Sequence, residues 1–332
     1  MEMNIVLLGC TGFVGSAVLR NALGSNIRVH ALVRDTPRRR GTLPGSVRVL
    51  EGDMERLPRS LFPEEPHVVI HLATKQIDRD GTGFHAVNVE GTRRLMEALP
   101  DSTLGVLYGS SMSVYGQGEQ VNIDETAPIR PETPLARSRR HAEEIILDTA
   151  AARGLSSYVL RPRFIFGLGD KHTFPGLVRM VRDGVRPGTG KQRYSIIGVD
   201  DYARVLLQLA GRILEGAPPE QTPLNLAYTR SVSMQEIVTL ISERFGITPP
   251  RIGIPAPAWL TRTLRAMPIR TLQTLGTRLE LFGLSHTANV DALSARIGGS
   301  IPAKDPINVL EAAAAAYSAT LRHPLQAGVS ST

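Results

Sequence analysis

Six short apolar runs punctuate the first half of the chain: NIVLLG (4–9), RVHALV (28–33), VRVLEG (47–52), HVVIHLA (67–73), LGVLYGSS (104–111) and SSYVLRP (156–162). They are nearly continuous in hydrophobicity rather than alternating, as strands buried on both faces are. Between several of them lie longer segments with helical periodicity, at 14–23, 83–99 and 134–153. Strands that alternate with helices predict an α/β fold: a Rossmann-like, doubly wound parallel sheet with helices on both faces.

After Pro162 the pattern changes. A glycine- and proline-bearing loop (167–175) precedes a helix near 176–183, a strand near 194–197 and a helix near 200–215. From Pro218 onward the chain reads as mainly helical, punctuated by Pro249, Pro250, Pro255, Pro257 and Pro268. The expected organisation is a nucleotide-binding domain of residues 1–165 plus about 198–230, and a smaller helical substrate lobe of 166–197 and 231–321. A flexible tail, 322–332, is expected to follow. Trp259, Leu260, Leu264, Met267, Ile269, Leu272 and Leu275 recur partly at helical spacing, a stripe that suits either plain core or a lipophilic substrate channel.

Composition narrows the function classes. Of 332 residues 42% are hydrophobic, which is ample for a large core, yet no run of 18 apolar residues exists to span a membrane. The formal net charge of +7 raises nucleic acid as a partner. Only four of the 38 basic residues are lysine, the arginines are scattered apart from RDTPRRR (34–40), and no basic stripe with interleaved aromatics accompanies them. Nucleic-acid binding is therefore not expected. A single cysteine, Cys10, forms no internal disulfide, fits a reducing cytoplasm and offers no metal site; its place in an anion-binding turn suits a small filler better than a reactive thiol.

Directly after the first strand comes Gly9-Cys10-Thr11-Gly12-Phe13-Val14-Gly15, opening a helix. Glycines at this spacing allow a tight turn, a close backbone approach to a pyrophosphate and close helix–strand packing, and the helix N-terminus then faces the anion. With EGDM (51–54), HLAT (71–74), NVEGT (88–92), SSMSVYG (110–116), RPRFIFGLGD (161–170) and YSIIGVDDYARVL (194–206), the chain resembles the extended short-chain dehydrogenase/reductases. That superfamily includes NAD-dependent epimerases and dehydratases and 3β-hydroxysteroid dehydrogenases. The resemblance covers nearly the whole chain and implies a cofactor site at Gly9, Thr11, Gly12, Phe13, Val14, Gly15, Asp53, Met54, Leu72, Ala73, Thr74, Arg139, Pro162 and Arg163. Asn88 reads better as a structural hydrogen-bonding residue. The second strand ends Val33-Arg34-Asp35, with Arg38 close behind, so Arg34 and Arg38 are expected to clamp a 2′-phosphate and favour NADP(H) over NAD(H), with Asp35 as the competing ribose acceptor.

In the resembled superfamily a Tyr-x-x-x-Lys pair opens the helix after the fifth strand. Here TPLARSRRHAEE (133–144) places Leu135 on the tyrosine position, Arg139 on the lysine position and Glu143 where a glutamate is frequent. Arg139 still offers donors to ribose hydroxyls, whereas Leu135 transfers no proton. The remaining candidates for catalysis are Ser111, at the position of the superfamily's serine or threonine, with Arg139, Tyr115, Lys171 and His172. Met112 and Ser113 stand where the 4,6-dehydratases carry an Asp-Glu pair, which disfavours dehydration. The leading expectation is an atypical NADP(H)-dependent reductase of a hydrophobic, secondary-metabolite or isoprenoid-like carbonyl or other activated acceptor, with a homodimer allowed. The alternatives are a redox-silent isomerase or cyclase, and a non-catalytic nucleotide-binding regulator.

Overall fold

The computed structural model describes residues 3–34, 43–78, 83–251, 253–298, 301 and 304–322. Arg38, Asp35 and the tail from 323 onward lie outside the described residues. A parallel seven-stranded sheet organises the molecule, in the order β12-β7-β5-β4-β1-β2-β3. Its strands are β1 (Met3–Leu8), β2 (Ile27–Val33), β3 (Val47–Glu51), β4 (His67–His71), β5 (Thr103–Gly109), β7 (Ser156–Pro162) and β12 (Gln221–Leu226). Shorter strands build the margins: β6 (Gln120–Ile123), β10 (Arg193–Tyr194), β13 (Val232–Ser233) and β15 (His286–Ala288) form one small sheet, and β8 (Phe164–Phe166) pairs with β11 (Ile196–Gly198). Strands β9 (Arg186–Pro187) and β14 (Gly253–Ile254) form a third pair.

Helices α1 (Phe13–Ala22) and α5 (Val199–Leu214) cover one face of the sheet; α2 (Gly91–Ala98) and α3 (Pro134–Arg153) cover the other. The remaining helices are α4 (Thr173–Arg182), α6 (Met234–Phe245), α7 (Ala258–Ala266), α8 (Arg270–Gly283), α9 (Asp291–Ile297) and α10 (Pro306–Arg322). Successive residues of a strand point to opposite faces, and β1 shows the consequence. Ile5 and Leu7 enter the core beneath α1 and α5, while Val6 and Leu8 enter the core beneath α2 and α3, all four with no exposure. Burial on both faces is why these strands read as unbroken apolar runs.

Two local features depart from the pattern. Strand β12 falls in a stretch expected to be helical; it is the sheet's edge, where Pro223 need not donate a ladder hydrogen bond. The helix expected at 83–99 begins with a wide π-helical stretch, Phe84–Glu90, before α2. In that stretch the Asn88 side chain accepts from the Lys75 amide (2.7 Å) and donates to the Lys75 carbonyl (3.2 Å) and to Ser138 Oγ (3.0 Å). It therefore ties the loop after β4 to α3, one residue before Arg139. This is the structural role expected for Asn88.

Candidate active site

The C-terminal edge of the sheet is where a parallel α/β fold leaves a crevice for ligands. A cavity of about 570 Å³ opens there between β1, β2, β3 and β4. Gly9, Thr11 and Gly12 line it from the first loop, Arg34 from the end of β2, Asp53 and Met54 after β3, and Leu72, Ala73 and Thr74 after β4. Two glycines are dictated by contact. Gly9 has φ +85°, and a Cβ there would lie 2.7 Å from the Leu72 carbonyl carbon; a Cβ on Gly15 would lie 2.1 Å from the Gly9 carbonyl oxygen. Gly12 precedes α1 with no side-chain cap, and no acidic residue occupies the first turn, so the N–H groups and positive pole of α1 are left for an anion. Phe13, Val14 and Gly15 form that first turn and stand beside the cavity rather than among its lining residues.

Asp53 is partly committed to its own turn, Oδ1 accepting from the Glu55 and Arg56 amides at 2.9 Å each. Cys10 is buried with its thiol 3.8 Å from the Leu32 carbonyl oxygen, in keeping with a filler.

A second group of side chains gathers at the ends of β5 and β7. Ser111 caps a short 3₁₀ turn (Met112–Tyr115), its Oγ accepting from the Ser113 amide at 3.2 Å. Arg139, on the second turn of α3, donates to Gln76 Oε1 (2.6 Å) and Ser113 Oγ (3.4 Å), so it bridges the cavity's lining to the turn that carries Ser111. Arg163 follows Pro162, the last residue of β7. The Nε atoms of Arg139 and Arg163 are buried without a hydrogen-bond partner among the described residues. Burial pushes both guanidiniums below their ordinary range, that of Arg163 to about 10 despite nearby Glu280, and the Arg139 charge lowers it further. Two closely placed cations with unsatisfied donors make the region at the ends of β5 and β7 receptive to negative charge.

The Tyr115 hydroxyl donates to Asn225 Oδ1 (2.8 Å) and accepts from Arg161 Nη1 (2.9 Å) inside the protein, which ties it into the core rather than into the cavity. Arg161 also pairs with Glu143, Nη2 to Oε2 at 2.6 Å and Nε to Oε1 at 3.0 Å, and Glu143 accepts from Ser110 Oγ. Lys171 and His172 are exposed on the loop before α4 and do not line the cavity. That loop nevertheless reaches the start of α1: a Cβ on Gly169 would lie 3.5 Å from the Phe13 ring.

Three features escaped the sequence reading. Lys75 lines the cavity and pairs with Asp78 at 3.2 Å, and Gly83 makes room for it, since a Cβ there would lie 2.0 Å from Nζ. Tyr108, on β5, is buried with no hydrogen bond of normal geometry among the described residues, and burial pushes its phenol up to about 12. Tyr202, on the first turn of α5, reaches the end of β5, where a Cβ on Gly109 would lie 3.2 Å from its hydroxyl. A lysine immediately after the HLAT motif and a glycine before SerSer were the available signals.

Comparison with known proteins agrees with this geometry. The model of the NAD dependent epimerase/dehydratase family matches residues 5–227. A ketoreductase of Stigmatella aurantiaca, named for 4-hydroxy-2-methyl-3-oxo-4-farnesyl-3,4-dihydroquinoline-1-oxide, is 26% identical over 97% of this chain and 99% of its own. The decarboxylating sterol-4-alpha-carboxylate 3-dehydrogenase of Schizosaccharomyces pombe is 29% identical over 55% of this chain; the match spans 56% of that enzyme, little more than half its length. Among solved structures, UDP-glucuronic acid 4-epimerase of Bacillus cereus in complex with NAD superposes with a TM-score of 0.74 at 17% identity, covering 96% of this chain and 99% of that one. The chain belongs to the NAD dependent epimerase/dehydratase family.

Proposed function

We propose that the protein is an NADP(H)-dependent reductase of a lipophilic carbonyl or otherwise activated acceptor, working without the tyrosine acid. The observation that carries this reading is the juxtaposition of a cradle fitted to a dinucleotide with Leu135 and a half-buried Arg139 whose Nε is unpaired among the described residues. The cradle's fit rests on the two glycines that admit no Cβ and on the open pole of α1. Gly9, Thr11 and Gly12 would hold the pyrophosphate, Asp53 and Met54 the adenine side, and Leu72, Ala73 and Thr74 the ribose-proximal side. A bound nicotinamide supplies hydride. The S. aurantiaca ketoreductase, matched end to end, supports the reductase class, and its farnesylated substrate name supports a lipophilic acceptor.

The chain's own residues account for the rest of the chemistry. Arg139 and Arg163 stabilise negative charge as it develops on the acceptor oxygen, because their unpaired donors need no reorganisation to meet it. Ser111 accepts from the Ser113 amide and leaves its own proton uncommitted among the described residues, so its hydroxyl relays a proton to the product oxygen and recovers it from solvent. Leu135 excludes water from the reacting face. An activated acceptor suits this set, because the oxyanion it forms is weakly basic and needs no strong acid beside the two cations.

Arg34 lines the cavity at the end of β2, and we assign it the 2′-phosphate. Arg34→Asp is expected to shift the ratio of NADPH to NADH dissociation constants toward NADH, by on the order of tenfold to a hundredfold, the worth of a charge-assisted hydrogen bond. Fluorescence titration with both cofactors measures it. An unchanged ratio would remove Arg34 from phosphate recognition.

A further inference from the structure

Helices α7 and α8 form a hairpin that is held firmly at one end only. At the base, Leu279 and Phe282 are buried, and the buried Glu280 accepts from Thr261 Oγ1 (3.2 Å) and from the Gly118 amide. Gly276 brings the helices into close contact, since a Cβ there would lie 2.8 Å from Leu264 Cβ. The linking turn is different. Met267 and Ile269, on either side of exposed Pro268, are 38% and 53% exposed. Leu275 and Trp259 on the helices themselves are 38% and 69% exposed.

Charge is distributed over this hairpin in an unusual way. The chain has 31 acidic residues, but none lies between 246 and 279, where five arginines do: Arg251, Arg262, Arg265, Arg270 and Arg278. Arg251, Arg262 and Arg278 are exposed, and none of these three, nor Arg265, forms an ion pair with a described residue. An apolar tip flanked by positive charge of a single sign does not suit self-association through this face, because a twofold copy would bring arginine against arginine. It does suit a surface that is apolar within and anionic at its boundary.

We propose that the α7–α8 hairpin docks on an anionic lipid surface, with Met267 and Ile269 entering the headgroup–acyl boundary and the arginines meeting lipid phosphates. This is peripheral contact: among the described residues no helix is long and apolar enough to cross a membrane. The inference stands on the hairpin alone and is independent of which reaction the cleft carries out.

Trp259 is the single tryptophan of the chain, so intrinsic tryptophan fluorescence reports directly on this hairpin. The full-length protein is mixed with vesicles of phosphatidylcholine, with and without phosphatidylglycerol, and binding is read by co-sedimentation and by Trp259 emission. Binding with a blue shift on the anionic vesicles only, weakened by salt, is the expected result. Met267→Glu with Ile269→Glu should abolish it, and Arg262→Gln and Arg278→Gln should each weaken it about fivefold. NADPH titration checks that these exposed substitutions leave the nucleotide domain intact. Three results would overturn the proposal: no binding to anionic vesicles, equal binding by the Met267/Ile269 variant, or sedimentation velocity showing a dimer that this variant dissolves. Equal competition by soluble polyglutamate would also overturn it, because charge alone would then explain the contact and an acidic protein would be the better partner.

Discussion

Glu143→Ala is expected to destabilise the protein by about 3–5 kcal/mol, more than any surface substitution, because it strands a buried guanidinium. Glu143 has no exposure and Arg161 only 2%, and the two share a bidentate contact. The Coulombic attraction in such a pair roughly offsets what desolvation cost it, so removing one partner leaves that cost uncompensated. Replacing both, as Glu143→Leu with Arg161→Met, should recover much of the loss. Urea unfolding midpoints for the single and double variants measure both statements, and a loss below about 1 kcal/mol for Glu143→Ala would place the pair in the class of weak surface bridges. The network matters to function through its neighbours. Ser110 and Arg161 hang from it, one residue from Ser111 and two from Arg163.

The second large effect is a gain. Leu135→Tyr with Arg139→Lys restores a phenol and an ammonium on successive turns of α3, four residues apart on one face. If the cleft already holds hydride against a carbonyl, the double variant should raise turnover of plain hydrophobic ketones by roughly 10²–10⁴, the worth of a positioned general acid. NADPH affinity should stay within about tenfold. The native acceptor gains little, because it does not need the acid. NADPH consumption with a panel of hydrophobic ketones is the assay. A folded, cofactor-binding double variant with no ketone reduction would mean that the nicotinamide end of the crevice is not poised for hydride transfer.

Five of the six strands of the first half were legible because both of their faces are largely buried, and the run from Ile5 to Leu8 records that directly; β3, at the sheet's edge, is only partly buried. Strand β12 was not legible, because Gln221–Leu226 is polar at its start and interrupted by Pro223, features that an edge position tolerates and a sequence pattern penalises. The cavity's glycines and the positions following β3 and β4 were readable from motif spacing. Lys75 was not, since it takes its place from the turn that Asn88 fixes and from the space left by Gly83. Nor was the fate of Tyr115, whose hydroxyl partners Asn225 and Arg161 lie 110 and 46 residues away. Contacts of that separation belong to the topology, and no local pattern announces them.

Under the proposed function, hydride leaves a dinucleotide in this cleft although Leu135 stands where an acid would. Incubating the protein with 4-deuterated NADPH and a hydrophobic, activated carbonyl acceptor, followed by mass analysis of the product, tests it most directly. One deuterium is expected on the reduced carbon, delivered from a single face of the nicotinamide. Product formed without deuterium, or turnover that persists when the cofactor is removed, would contradict it.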